Sequence, residues 1–336
     1  MDASSPASPE THLLLIRFSA LGDILMTVPV IDALARQYPH VHITVVSRPF
    51  VGSIIRLLPE NVSFFGINPH GLSVSHLYRE LRALSPTHVC DLHDVLRTKL
   101  LRWRFRLAGL PVDHIHKERR ARRAFVAAGE KHQQKTAFRK YDEALGRMGF
   151  PIVIDETQPF RLIDPIPHGK SDVPRIGIAP FAAHRGKIYP LDLMEQVVAM
   201  LSERGVQVYL FGAGATEKQQ MEEWAARYQG VESVVGRLED MAAELHLMAS
   251  LDAMLTMDSG NMHLASLAGV RVVSIWGATH PLGGFLGWGQ RMEDVVELDL
   301  PCRPCSIYGS RPCRFGDWHC LTGIKKEAIV ERLLSR

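Results

Sequence analysis

The sequence predicts an α/β protein made of two parallel-sheet halves. Short apolar runs bounded by turn residues alternate with stretches of helical period along most of the chain. Two such series flank Asp155–Pro174, a stretch with Pro159, Pro165, Pro167 and Pro174 and little periodicity, which reads as an interdomain linker. A length of 336 residues suits two domains, each burying its own core. Two halves of this kind are expected to leave a cleft between facing strand ends, a place for two substrates.

Composition narrows the class. An apolar fraction of 46% with 22% charged residues is that of a globular protein. No apolar run approaches the roughly 18 residues that a membrane helix needs. Met1–Thr11 is polar and rich in Pro and Ser without a basic start, so a loose tail is expected instead of a signal peptide, and a cytoplasmic location with it. Net charge is +3, but Arg97–Arg123 holds ten Lys/Arg against Asp113 and Glu118, a local +8 that leaves −5 on the remainder. Such a belt has two readings: contact with a polyanion or membrane surface, or a solvated helix face.

In the first half, Leu13–Phe18 is a buried strand. Ser19-Ala-Leu-Gly22-Asp23 stands where a dinucleotide fold would carry Gly-x-Gly-x-x-Gly, which counts against a nicotinamide or flavin enzyme. Thr27 and Pro29 open a helix to Gln37. Strands are predicted at Val41–Val46, Val62–Ile67 and His88–Leu92, the last running into Asp91-Leu-His-Asp94, and helices at Ile54–Leu58 and Tyr78–Leu84. Leu96, Leu100, Trp103 and Leu107 mark one face of a further helix, with Arg97, Arg104 and Arg106 off it. In the second half, strands are predicted at Arg175–Pro180, Val206–Phe211 and Val231–Val235. Helices are predicted at Leu191–Arg204, Thr216–Tyr228 and Leu238–Met248.

The segment Asp258-Ser-Gly-Asn-Met-His-Leu-Ala-Ser-Leu-Ala-Gly269 organises that half. It joins the strand Leu251–Met257 to the strand Val270–Ile275 through a tight turn and a short helix ended by Gly269. Backbone N–H groups at Ser259–Asn261 would suit a phosphate, or merely start a capped crossover helix. Asp23 could take a proton from an attacking hydroxyl or cap a helix. Lys187 could hold phosphate oxygens or be a surface-loop lysine. Glu217, after Phe211-Gly-Ala-Gly-Ala-Thr, could accept from ribose hydroxyls or begin a helix. His263 could face a ligand or be a satisfied helix histidine. No Asp-x-Asp occurs, which argues against a sugar transferase that holds its nucleotide through a carboxylate-bound metal. Four of the five cysteines fall late, as Cys302-x₂-Cys305-x₇-Cys313-x₆-Cys320. They could hold zinc, although the second pair has non-standard spacing. Cys90 reads as a small buried hydrophobe.

Taken together, Ile16-Arg-Phe-Ser-Ala-Leu-Gly-Asp-Ile-Leu-Met-Thr-Val-Pro29, Asp258-Ser-Gly-Asn-Met-His-Leu-Ala265, Trp276-Gly-Ala-Thr-His-Pro281 and the late cysteine segment resemble glycosyltransferase family nine. These are the ADP-heptose:lipopolysaccharide heptosyltransferases, and the resemblance runs from about Leu13 to Ile324. It implies a GT-B fold of two Rossmann-like domains: 1–160 for the acceptor, 170–322 for the nucleotide-sugar, and a helix in 323–336 packing back on the first. It also implies inverting transfer of heptose from ADP-heptose to the lipopolysaccharide inner core, with no cofactor or metal required. Asp23 would be the general base, Lys187 would lie on the donor phosphates and Glu217 near the ribose. Asp258, Ser259, Gly260 and His263 would form the donor loop. The basic helix from Arg97 would meet an anionic glycolipid acceptor and the inner face of the cytoplasmic membrane. One departure is Ala182-Ala183 before Lys187, where the family often carries hydroxyl residues. Rival readings are another nucleotide-sugar donor or glycan acceptor, a nucleotide-sugar epimerase, and a non-catalytic polyanion binder. No nucleic-acid module accompanies the belt.

Overall fold

The computed structural model describes residues 11–127, 131–164 and 173–335, which form two compact units. The first takes in the chain up to Ala20, Thr27–Lys117 and Phe138–Asp155; the second takes in Leu21–Met26, Glu118–Ala137 and the chain from Glu156. The polar tail expected before Thr11, and residues 165–172 of the expected linker, lie outside the described residues.

In the first unit β1 (His12–Ile16), β2 (His42–Ser47), β3 (Val62–Gly66), β4 (His88–Asp91) and β5 (Val112–His114) pair in parallel in the order β3-β2-β1-β4-β5. Leu13–Ile16 are at most 1% exposed, as a central strand covered on both faces requires. The helices up to Arg147 are α1 (Leu21–Leu25), α2 (Val28–Gln37), α3 (Gly52–Ile55), α4 (Val74–Ala83), α5 (Leu96–Leu107), α6 (Arg119–Ala127) and α7 (Ala137–Arg147). Of these, α1 and α6 belong with the second unit.

The rotation of α5 is set by a buried charge. Asp91, at the carboxyl end of β4, is fully buried and stands 3.4 Å from Nε of Arg102, whose Nη2 donates to Asp94 at 3.0 Å. A carboxylate withdrawn from water needs such a partner. Arg102 therefore turns inward with Leu101 and Phe105, which join Leu14, Ile16 and Val89 in the core. The row Leu96, Leu100, Trp103 and Leu107 is one face, as its spacing predicts, and that face is exposed.

In the second unit β6 (Arg175–Ala179), β7 (Gln207–Leu210), β8 (Val231–Ser233), β9 (Ala253–Met257), β10 (Arg271–Trp276) and β11 (Val295–Glu297) pair in parallel in the order β11-β10-β9-β6-β7-β8. The helices are α8 (Leu191–Glu203), α9 (Ala215–Arg227), α10 (Met241–Ala249), α11 (Gly260–Ala268), α12 (His319–Thr322) and α13 (Lys326–Leu334). The three-residue edge strands β5 and β11 are not among those the sequence predicts. Both sheets start in the middle, step outward for two strands and return to the other side. Each therefore has a switch point where neighbouring loops diverge, β1/β4 in the first and β6/β9 in the second. No described helix is long and apolar enough to cross a membrane.

The last helix, α13, buries Ile329, Val330 and Leu333 in the second unit's core with Met194, Val197 and Leu201 of α8. Tyr189 donates its hydroxyl to Ile324 O at 2.9 Å and anchors the approach to the helix. The apolar face left between α8 and the sheet is what it fills. Ile329→Ala should then cost about 2 to 5 kcal/mol, the range for emptying a buried aliphatic site. Urea unfolding monitored in the second unit would read this, and an unchanged midpoint would show that the helix is not part of that core.

Candidate functional site

Two loops leave the switch point of the second sheet. The one after β6 makes a short turn at Arg185–Lys187, and its path depends on Gly186. A Cβ there would come within 2.7 Å of Gly309 O and 2.9 Å of Ala278 Cβ, so only glycine allows the loops to touch. Ala278 N donates to Gly186 O at 2.8 Å and ties this loop to the one after β10. Lys187 runs its stem over Gly309 and ends 2.8 Å from Oδ2 of Asp258, the residue following β9. Their side chains are 15% and 5% exposed, so the pair is largely withdrawn from water. Removing one member of such a pair strands the other charge, at a cost of about 3 to 5 kcal/mol.

Ser259 occupies the N-cap of α11 in extended conformation, yet its side chain makes no capping bond. Its Oγ is buried without a hydrogen-bond partner among the described residues, as are Nδ1 of His263 and Oγ1 of Thr279 in the loop after β10. Buried polar atoms are normally satisfied, so three orphans around one set of strand ends make this the candidate place for a polar ligand.

The short helix α1 brings Asp23 to this place. A Cβ on Gly22 would lie 2.7 Å from Cδ2 of His263, and one on Gly260 would lie 2.8 Å from Cδ2 of Leu21. Two glycines facing two helices thus permit a backbone approach that no larger residue would. Burial pushes the His263 imidazole down to about 4, against the upward pull of Asp258 and Asp23 and with a smaller downward push from Lys187. Asp23, Lys187, Asp258, Ser259, Gly260 and His263 therefore form one electrostatic neighbourhood in the second unit.

The other two predicted residues make local hydrogen bonds. Glu217 is in the first turn of α9 and its Oε2 accepts from Ala213 N at 2.8 Å, holding the loop Gly212–Gly214 in which Gly214 has φ +82°. Arg97 belongs to the first unit, where Nη1 donates to Leu72 O at 2.6 Å.

Sequence reading missed several contributors. Arg303 is 3% exposed and donates to carbonyls of Gly277, Leu298 and Thr279 and to Glu297, so that it clamps the loop after β10. Nothing local in the sequence distinguishes it from a surface arginine. At the first sheet's switch point, His93 Nε2 stands 3.1 Å from Ser19 Oγ, and Asp91 Oδ1 accepts from the N–H groups of His93 and Asp94 at 2.8 and 2.9 Å. The signal was available: polar residues closing a strand in Asp91-Leu-His-Asp94.

Cys302, Cys305, Cys313 and Cys320 line one cavity of about 410 Å³, and all four are free thiols. No three of their sulfurs lie within 4.8 Å of one another. Cys305 points at Ala278 O (3.8 Å) and Cys313 at Asp317 (3.7 Å), while burial pushes the Cys320 thiol up to about 11. Cys90 is fully buried, as expected of a small hydrophobe.

A family model for glycosyltransferase family 9 (heptosyltransferase) matches residues 110–319. The chain belongs to that family. It is thus a glycosyltransferase. Among curated proteins it is similar to lipopolysaccharide heptosyltransferase 1 of Pseudomonas aeruginosa, 26% identical across 88% of this chain and 86% of that protein. Among solved structures it shares its fold with the ADP-heptose lipopolysaccharide heptosyltransferase II of E. coli (TM-score 0.68, 19% identity, 96% and 97% of the two chains). It also shares it with a family 9 glycosyl transferase of Veillonella parvula (TM-score 0.70, 18% identity, 98% and 99%). The fold class is accordingly GT-B, with two parallel-sheet α/β domains.

In this glycosyltransferase the low His263 value has a consequence for stability. The unfolded imidazole takes up a proton near pH 6.5, whereas the folded one resists until about 4. Its neutral burial is therefore harmless above pH 6.5 and increasingly unfavourable as pH falls through that window, by an amount on the order of 3 kcal/mol. Urea unfolding at neutral pH and near pH 4.5 should show a larger loss for the wild type than for His263→Gln. Equal losses would contradict it.

Proposed function

We propose that this chain is an inverting heptosyltransferase that moves heptose from ADP-heptose to a sugar of the lipopolysaccharide inner core. Asp23 removes the proton of the attacking hydroxyl as its oxygen bonds to the anomeric carbon and the bond to the donor phosphate breaks. Lys187 stabilises the charge that collects on the departing ADP. Asp258, Ser259, Gly260 and His263 hold the diphosphate, and Glu217 stands toward the ribose. Inversion takes a single displacement, so one base and one stabilised leaving group suffice; no metal is assigned a part. Acceptor and membrane contact belong to the basic belt, with Arg97 on the acceptor, at the cytoplasmic face of the inner membrane.

The observation that carries this reading is the junction of α1 with α11. A carboxylate, a lysine and a helix N-terminus with unsatisfied polar atoms meet there through the close approach at Gly22 and Gly260. The neutral imidazole of His263 suits it as well, since an uncharged ring can sit between carboxylates and an ammonium without fixing a further charge.

Asp23→Ala should lower turnover about 10²- to 10⁴-fold, the usual contribution of a positioned base, with ADP affinity nearly unchanged. Near-normal turnover would remove Asp23 from the reaction. Lys187→Ala should weaken ADP binding as well as turnover, and calorimetry showing unaltered ADP affinity would contradict its role. The donor is tested by thermal unfolding with ADP, ADP-heptose, UDP-sugars and GDP-mannose. A ligand at a hundred times its dissociation constant adds about 2.7 kcal/mol. Stabilisation by UDP- or GDP-sugars and not by ADP compounds would assign the fold a different donor.

A further inference from the structure

Helix α5 carries an apolar row that the first unit does not use. Leu96, Leu100, Trp103 and Leu107 are 76%, 46%, 60% and 68% exposed. At 3.6 residues per turn the four fall within an arc of about 60°, along a helix about 18 Å long. Arg97 and Arg104 border that arc on one side, Lys99 and Arg106 on the other, and the helix has no acidic residue. Opposite the row, Leu101, Arg102 and Phe105 are buried. An exposed leucine alone is ordinary, but an unbroken row of three leucines and a tryptophan is not.

The basic side chains are braced against the body of the unit. Nη1 of Arg97 donates to Leu72 O, and Nη2 of Arg104 donates to Ser75 Oγ at 2.9 Å with its guanidinium 5.7 Å from the centre of the Tyr78 ring. Nη2 of Arg106 donates to Val112 O at 3.2 Å, and Nζ of Lys99 stands 3.7 Å from Asp94. Three of these four cations are thus tied to neutral groups and keep their net charge beside the row. A second copy of the chain docking on this face about a two-fold axis would set these cations against their own counterparts. An anionic lipid surface presents the opposite charge and an apolar layer just beneath it. Trp103, with its amphipathic ring, is suited to the boundary between them.

We propose that α5 is the membrane-docking helix of this protein: Leu96, Leu100, Trp103 and Leu107 enter the head-group/acyl boundary of an anionic bilayer, and Arg97, Lys99, Arg104 and Arg106 lie at the phosphate level. The membrane contact inferred above for the basic belt is the premise on which this face rests; the donor assignment is independent of it.

The full-length protein is sedimented with vesicles of phosphatidylcholine mixed with phosphatidylglycerol, and with vesicles of phosphatidylcholine alone. Trp103 fluorescence is read as the difference from Trp103→Phe. The wild type should bind the anionic vesicles with a blue shift that Trp103→Phe lacks. The double variant Leu100→Ser/Trp103→Ser should bind at least about tenfold more weakly, with unchanged circular dichroism and unchanged ADP affinity. Both positions face solvent, so folding is not at stake. If the double variant binds anionic vesicles as well as the wild type, α5 is not the docking element, although the membrane reading stands. If the wild type binds neither vesicle, both are overturned, and the nucleotide experiments still decide the transferase reading. If the wild type self-associates in light scattering and the double variant is monomeric, a second copy covers the row and the membrane assignment fails.

Discussion

A carboxylate buried at the end of a central strand cannot stand alone, and in each unit the answer to that constraint shapes everything near the strand ends. In the second unit the carboxylate is Asp258, just past β9, and the counter-charge is Lys187 from the loop after β6, 2.8 Å away. In the first unit it is Asp91, the last residue of β4, and the counter-charge is Arg102 from α5. The strands occupy equivalent places in the two sheets, each being the first to return beside the starting strand. The partners differ in consequence. Arg102 comes from the following helix and fixes its rotation. Lys187 comes from across the switch point and binds two loops into one site.

Once Lys187 and Asp258 are paired, the close contacts around them leave little choice of sequence. Gly309 makes room for the lysine stem, Gly186 lets its loop touch Ala278 and Gly309, and Gly22 and Gly260 let α1 press against α11. The same contacts bury His263 and keep it neutral, while Ser259 and Thr279 are left with unsatisfied hydroxyls. A well-packed neighbourhood that leaves polar atoms unmatched is costly unless a ligand completes it. That is the physical case for reading the place as a binding site in a glycosyltransferase of family 9. Arg303 adds rigidity by occupying the carbonyls of the loop after β10, so the loop needs no ligand to hold its shape.

The α5 surface follows from the other buried carboxylate. With Arg102 drawn inward to Asp91 and Asp94, the row of Leu96, Leu100, Trp103 and Leu107 has only solvent to face. Stability of the core and exposure of an apolar, base-flanked stripe are two results of one rotation. A helix placed only by its apolar period would have been turned the other way.

Much of this protein was legible in the amino-acid order. Apolar runs located nine of the eleven strands among the described residues. The segments around Asp23 and Asp258 named the residues that gather at the candidate site, because strand ends and helix starts are encoded within a few neighbouring residues. Other features depended on distance in sequence. The pairing of Lys187 with Asp258, the neutrality of His263 and the glycine contact between α1 and α11 join segments far apart in the chain, and no local pattern reports them. The three-residue edge strands β5 and β11 exist because a neighbour offers hydrogen bonds, not because their own composition demands extension. Helix α13 joined the second unit's core because an apolar face was open there. The sequence by itself determined where chain segments become strands and helices and which residues carry chemistry. The tertiary structure decided which faces are buried and which charges meet, since burial and Coulomb energy depend on what surrounds a group and not on its place in the chain.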